Sequence, residues 1–328
     1  MEGKHIPKIT TPYINLQSDF GFKRLFGTEK FRKALLQFLN AIFGKEILVT
    51  DVRFHDKEIL PASEKGKRII YDVYCSMKVP PETSIFKNRH LLREDKEKDI
   101  PHHFILEMQN IYEPPFEDRM LYYSSKIISS QGKAGWNYDL DPVISMAITD
   151  FDFSFLSPRL VQDFRILENT SGELLTNKFS MLFFSLRQVP SLWEECTDEM
   201  QRLLYLIKNM DKLDKTSRPY LDGGYENIFE AAESDRMVAE DVVLYSQSLE
   251  RLKSYQAGVD YAAEQAMEKG MAIGMEKGLE KGLEKGLEKG LEKGLEKAAR
   301  ILIALDKDDD FIADQTGLSR DRIRELRK

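Results

Sequence analysis

Cysteine is scarce: Cys75 and Cys196 are the only two in 328 residues. That excludes a disulfide framework and a cysteine-rich zinc site, and a reducing cytoplasm is the expected setting. Long apolar runs are missing too. No stretch approaches the roughly 18–20 apolar residues of a membrane helix, and the start, Met1-Glu2-Gly3-Lys4-His5, lacks the apolar core of a secretory leader. No membrane association is expected. Positive charge is not in excess, since 48 Lys and Arg face 55 Asp and Glu for a net charge of −7. Proteins held on nucleic acid by bulk electrostatics are usually basic. Any DNA contact here therefore needs a local patch or a metal-assisted site. Also absent are a glycine-rich phosphate loop, a nucleophile elbow and zinc-ligand spacing.

What is present begins with 42% hydrophobic residues, enough in a chain of this length for a substantial core with appendages. Phe31, Leu35, Phe38, Leu39 and Ile42 recur at helical spacing, with Gly44 as a stop. Before them lies Ser18-Asp19-Phe20-Gly21-Phe22-Lys23-Arg24-Leu25-Phe26-Gly27, whose Phe20, Phe22 and Phe26 read as core. Strand-like runs follow at about 47–54, 68–78 and 103–110, the last two separated by the polar insert Pro80 to Asp99, which reads as a surface loop. Pro114-Pro115 precedes a helix starting at Pro115 or Phe116, since proline is tolerated in a first turn. Further strands are expected at about 142–150, 160–168 and 179–186, and mostly helix beyond Leu192. This order predicts an α/β core.

From Met267 a four-residue unit repeats, at first Met-Glu-Lys-Gly and then Leu-Glu-Lys-Gly. On a helix four residues advance about 400°, so the leucines drift about 40° per unit and form no left-handed heptad seam. Each glycine costs about 1 kcal/mol relative to alanine. The tract reads as a spacer or self-association stalk. Beyond it, Ile312 to Leu326 has a helix-turn-helix rhythm, but seven basic and seven acidic residues balance from Ala298 onward. The expected organisation is residues 1–265, 266–297 and 298–328.

Two buried-looking strands carry acids. In Phe104-Ile105-Leu106-Glu107-Met108-Gln109, positions 107 and 109 share a face, and Asp72 sits mid-run in Ile69 to Cys75. A carboxylate in such surroundings costs several kcal/mol unless compensated. Asp72 and Glu107 therefore suggest a site for a divalent cation, with Arg119, Tyr122, Tyr123 and Lys126 on the helix that follows. The adjacent His102 and His103 would face opposite ways on a strand and are expected at the surface.

Four segments in order, Asp19-Phe20-Gly21-Phe22-Lys23, Asp72-Val73-Tyr74, Phe104 to Gln109, and Asp118-Arg119 with Tyr122-Tyr123, resemble the Rpn family of recombination-promoting nucleases and putative transposases in the PD-(D/E)XK superfamily. The resemblance spans about residues 10–270, and the Leu-Glu-Lys-Gly tract is also typical. It implies a restriction-endonuclease-like mixed β-sheet flanked by helices, followed by a helical C-terminal extension. It implies DNA cleavage with Mg²⁺, or Mn²⁺ as substitute, held by Asp72 and Glu107, with Asp19 matching an acid of the first helix. Gln109 stands where lysine is usual. Glutamine can orient water but supplies no charge, which leaves Lys23, Arg119 or Lys126 to provide it. Arg119, Tyr123 and Lys126 are the expected substrate contacts. The alternative is a catalytically weak binding or assembly module, a homo-oligomer through its C-terminal stalk.

Overall fold

In the computed structural model the described residues are 9–43, 49–56, 58–59, 69–79, 100–132, 135, 140–216, 218 and 223–328. The Pro80 to Asp99 insert and the Gly44 stop lie outside them. The described chain forms two compact units, Met1–Ser254 and Tyr255–Lys328.

The first unit opens with helices α1 (Asp19–Phe26) and α2 (Arg32–Phe43). Strand β1 is only Arg53–Phe54, much shorter than the run expected at 47–54. The run expected at 68–78 is broken at Tyr71-Asp72. Its first part, β3 (Ile69–Ile70), pairs with β2 (Glu58–Ile59), whereas β4 (Val73–Val79) joins the main sheet. Asp72 thus stands just ahead of a strand and not within one. β5 (Ile100–Gln109) is followed by α3 (Phe116–Ser130), β6 (Val143–Thr149), β7 (Val161–Arg165) and β8 (Phe179–Ser185). Helices α4 (Glu199–Asn209) and α5 (Glu226–Ala232) come next, and α6 (Ala239–Ala304) begins in this unit.

The six-stranded sheet runs β1-β4-β5-β6-β8-β7. β5, β6 and β8 are parallel, and β4 lies antiparallel to β5 with Val73 opposite Leu106. Parallel neighbours need a crossover, which α3 provides between β5 and β6. β6, Val-Ile-Ser-Met-Ala-Ile-Thr, is buried at every residue, as a strand covered on both faces must be. Val73, Cys75, Phe104, Leu106 and Met146 pack in one core with Phe22, Leu35, Phe38, Leu204 and Phe229 from the helices. On the opposite face Ile105 and Val143 meet Ile127 of α3. This is a mixed α/β sheet flanked by helices, as the sequence predicts.

In the second unit the remainder of α6 carries the repeat tract, with Leu279, Leu283, Leu287 and Leu291 exposed. Ala299 then packs with Ile312 of α7 (Asp309–Thr316) and Ile323 of α8 (Arg320–Leu326). Gly317 caps α7 at φ 72°, a left-handed conformation that glycine adopts without steric cost. Ser319 caps α8 by accepting a bond from Arg322 N–H. Among the described residues no helix is long and apolar enough to cross a membrane.

Candidate active site

Antiparallel pairing sets the amino end of β4 beside the carboxyl end of β5, so Asp72 and Glu107 become neighbours at the edge where the sheet stops. Two crossed bonds hold them. Asp72 N–H donates to Glu107 Oε1 at 3.2 Å, and Met108 N–H donates to Asp72 Oδ2 at 3.1 Å. The strand break at Tyr71-Asp72 makes this possible, because it releases the Asp72 backbone N–H from strand pairing to serve a side chain.

The second contribution comes from α1. Ser18 caps it, its hydroxyl accepting from Gly21 N–H at 3.1 Å. Lys23 lies one turn beyond Asp19, pairs with it, and also places Nζ 3.2 Å from Asp72 Oδ1. The site thus draws on both layers of the fold. Burial pulls the Lys23 pKa down, but the charges and hydrogen bonds of Asp72 and Asp19 outweigh it, and the net shift is upward. Glu107 moves the other way in charge. Burial first, then the negative charge of Asp72, push its carboxyl well above the usual range, against the Asp72 N–H bond, Arg119 and Lys23.

Gln109 points along the same face as Glu107 but is occupied differently. Its Oε1 accepts from Arg119 Nη2 at 2.6 Å, and its Nε2 donates to Ile111 O at 2.8 Å. Arg119 also lies 3.6 Å from Glu113 and over the Phe116 ring. Tyr123 packs edge-on against buried Tyr71, and burial followed by the charge of Glu107 raises its pKa. Asp19, Lys23, Asp72, Glu107, Gln109, Arg119 and Tyr123 are therefore gathered. Among the described residues no ion pair joins Lys126 to the acids; its ammonium sits 5.1 Å from the Tyr122 ring centre.

Sequence reasoning missed a second cluster on the same sheet face. His102 is buried and His103 half-buried, so the expected surface pair is corrected: strand β5 starts at Ile100 and carries both inside. His103 Nδ1 lies 3.0 Å from Tyr74 OH and Nε2 3.7 Å from Asp141, while His55 stacks on Tyr74 and meets Ser76 Oγ at 2.7 Å. Nothing in the run around His55 marks it in advance, because its partners come from strand pairing.

Among the described residues no group of three or more His, Cys, Asp and Glu side chains is gathered to hold a metal by protein ligands alone. The donor chemistry nevertheless fits a hard cation that keeps several waters and takes one or two carboxylates. With Glu107 ionised, the acids of Asp19, Asp72 and Glu107 exceed the charge of Lys23 by two, and Arg119 is engaged by Gln109 and Glu113.

A mixed six-stranded sheet with flanking helices is consistent with a PD-(D/E)XK nuclease fold. The model of the family described as PD-(D/E)XK nuclease family transposase matches residues 16–81 and 94–262, and the chain belongs to that family. No curated protein and no solved structure matches it.

Proposed function

We propose that the protein is a divalent-metal-dependent DNA endonuclease that hydrolyses phosphodiester bonds, acting in the cytoplasm in recombination or mobile-element biology. The observation that carries this reading is the crossed pair of Asp72 and Glu107 with Lys23 against it. Asp72 and Glu107 would hold Mg²⁺, with Mn²⁺ as substitute. When bound, such an ion polarises the phosphate and lowers the pKa of attacking water. The chain's own residues do the rest. Met108 N–H fixes the Asp72 carboxylate through Oδ2 and leaves Oδ1 facing Lys23. Lys23 supplies the positive charge that the superfamily's lysine supplies from the position of Gln109. Gln109 orients Arg119, whose planar fork suits a phosphate, and Tyr123 lines the approach to Glu107.

The test is plasmid DNA incubated with Mg²⁺, Mn²⁺ or Ca²⁺, using the parent, Asp72→Asn and Glu107→Gln. Cleavage by the parent is expected to fall by about two orders of magnitude or more in each variant, the scale of losing one preorganised charge-stabilising group. Parent-like cutting by both variants would sink the assignment.

A second reading concerns the tract, where Leu283, Leu287 and Leu291 lie beside Gly282, Gly286 and Gly290 along a shallow groove. At about 100° per residue, glutamates flank the leucine row and lysines the glycine row. Two parallel copies then set leucines against glycines and glutamates against lysines, whereas antiparallel copies oppose like charges. We infer that this face joins a second copy of the chain, whether or not the nuclease unit cuts.

A further inference from the structure

Asp72 has one oxygen committed to the backbone and one that is not. Oδ2 accepts from Met108 N–H, and Oδ1 is covered by the Lys23 ammonium at 3.2 Å. A metal held by Asp72 would find Oδ1 the freer of the two oxygens toward the backbone, because Oδ2 already accepts from Met108 N–H. That places a dication and an ammonium on one atom. Their mutual repulsion in a half-buried site is weakly screened.

The helix offers the ammonium somewhere to go. Asp19 lies one turn earlier on the same face of α1, is more exposed than Asp72, and is already paired with Lys23. Lys23 can leave Asp72 while keeping Asp19, and it then stays at the rim of the site. Glu107 feels the charges of Arg119 and Lys23, but among the described residues no ion pair joins it to either, and Arg119 is bonded to Gln109 and lies 3.6 Å from Glu113.

Resting on the nuclease reading, we propose that Lys23 is a built-in counter-ion that divalent metal must displace from Asp72 toward Asp19. Lys23 thereby offsets part of the negative charge of the acids, at a cost in metal affinity. Displacement also delivers the ammonium to the rim, where the phosphate of a substrate would lie. The lysine is then a metal competitor in the resting protein and a phosphate partner in the working one. The two roles predict opposite signs for one substitution.

The experiment is calorimetric titration of Mn²⁺ into the full-length protein without DNA, for the parent, Lys23→Met, Lys23→Gln, Lys23→Arg and Asp72→Asn. Thermal melts confirm that each is folded, and Lys23→Gln serves if the Met variant is not. Removing the charge is expected to tighten Mn²⁺ binding about fivefold or more, within the usual range of site-to-site coupling. Lys23→Arg should stay near the parent and Asp72→Asn should abolish binding. In the same preparations DNA cleavage by Lys23→Met should fall. Equal or weaker Mn²⁺ binding by both neutral variants overturns the displacement, and parent cleavage lost in Asp72→Asn would leave the nuclease reading standing. Absence of any Asp72-dependent binding or cleavage overturns both.

Discussion

Gln109 shows how one residue's neighbours decide what its substitution does. Restoring the superfamily's lysine looks like a repair on paper. In the fold, however, the Gln109 Oε1 is 2.6 Å from Arg119 Nη2, so Gln109→Lys sets an ammonium against a guanidinium and orphans the arginine's donor. The expected outcome is lower cleavage and a lower melting temperature, and adding Arg119→Ala should relieve the melting temperature but not the cleavage. His55 gives a pH dependence. Burial first, then the neighbouring His103 and Arg53, lower its pKa below the ordinary 6.5. The folded state then binds fewer protons than the unfolded state in the window just below pH 6.5, so stability rises with pH there and is lost on acidification. His55→Gln should flatten that part of the stability curve, measured by urea unfolding between pH 5 and about 7.5, the range in which histidine titrates. A curve as steep as the parent's would assign the acid sensitivity elsewhere.

Among the elements, those with strong periodicity were legible in the sequence and those defined by pairing were not. Helix α2 announces itself through Leu35, Phe38 and Leu39, and β6 through its unbroken apolar run. The start of α3 follows from Pro115 and Phe116. The break at Asp72 was not read from the sequence, although Asp72 is the one poor strand former in Ile69 to Cys75; its extent is set by the two halves pairing with β2 and β5. For the site, the acids and Lys23 could be nominated from type and order. The crossed backbone bonds and the engagement of Gln109 by Arg119 depend on register, which a single sequence does not encode locally. Gly21 is a case where the structure explains a motif residue. A Cβ there would lie 2.1 Å from the Asn15 carbonyl oxygen and 3.0 Å from Leu16 Cα. Both obstacles are backbone, so α1 would have to move. Gly21→Ala should destabilise the protein by about 1–3 kcal/mol, as overpacking does, and loosen Lys23 from Asp72. Denaturant melts would read the first effect, and an unchanged midpoint would refute it.

For the whole molecule, the boundary that matters lies inside a helix. The first turns of α6 belong to the nuclease unit: Tyr245 OH accepts from Asn15 N–H at 2.9 Å, Ser248 Oγ from Phe20 N–H at 3.0 Å, and Asp241 from Arg24 at 2.8 Å. A chain ended after Ser254 retains all three and should fold, with loss of the self-association assigned to the tract. A chain ended at Val238 loses them and should melt at lower temperature or fail to fold. Size-exclusion chromatography with light scattering, alongside melts, distinguishes these outcomes. Equal stability of the two truncations would show that the helix is dispensable.

Those same three bonds place a late stretch of chain in charge of an early one. The segment bearing Lys23 leaves the ribosome well before its anchors at Tyr245 and Ser248 do. Until those anchors emerge, the segment around Lys23 lacks these bonds. Synthesis order thus leaves the amino-terminal segment unanchored until most of the protein has been made.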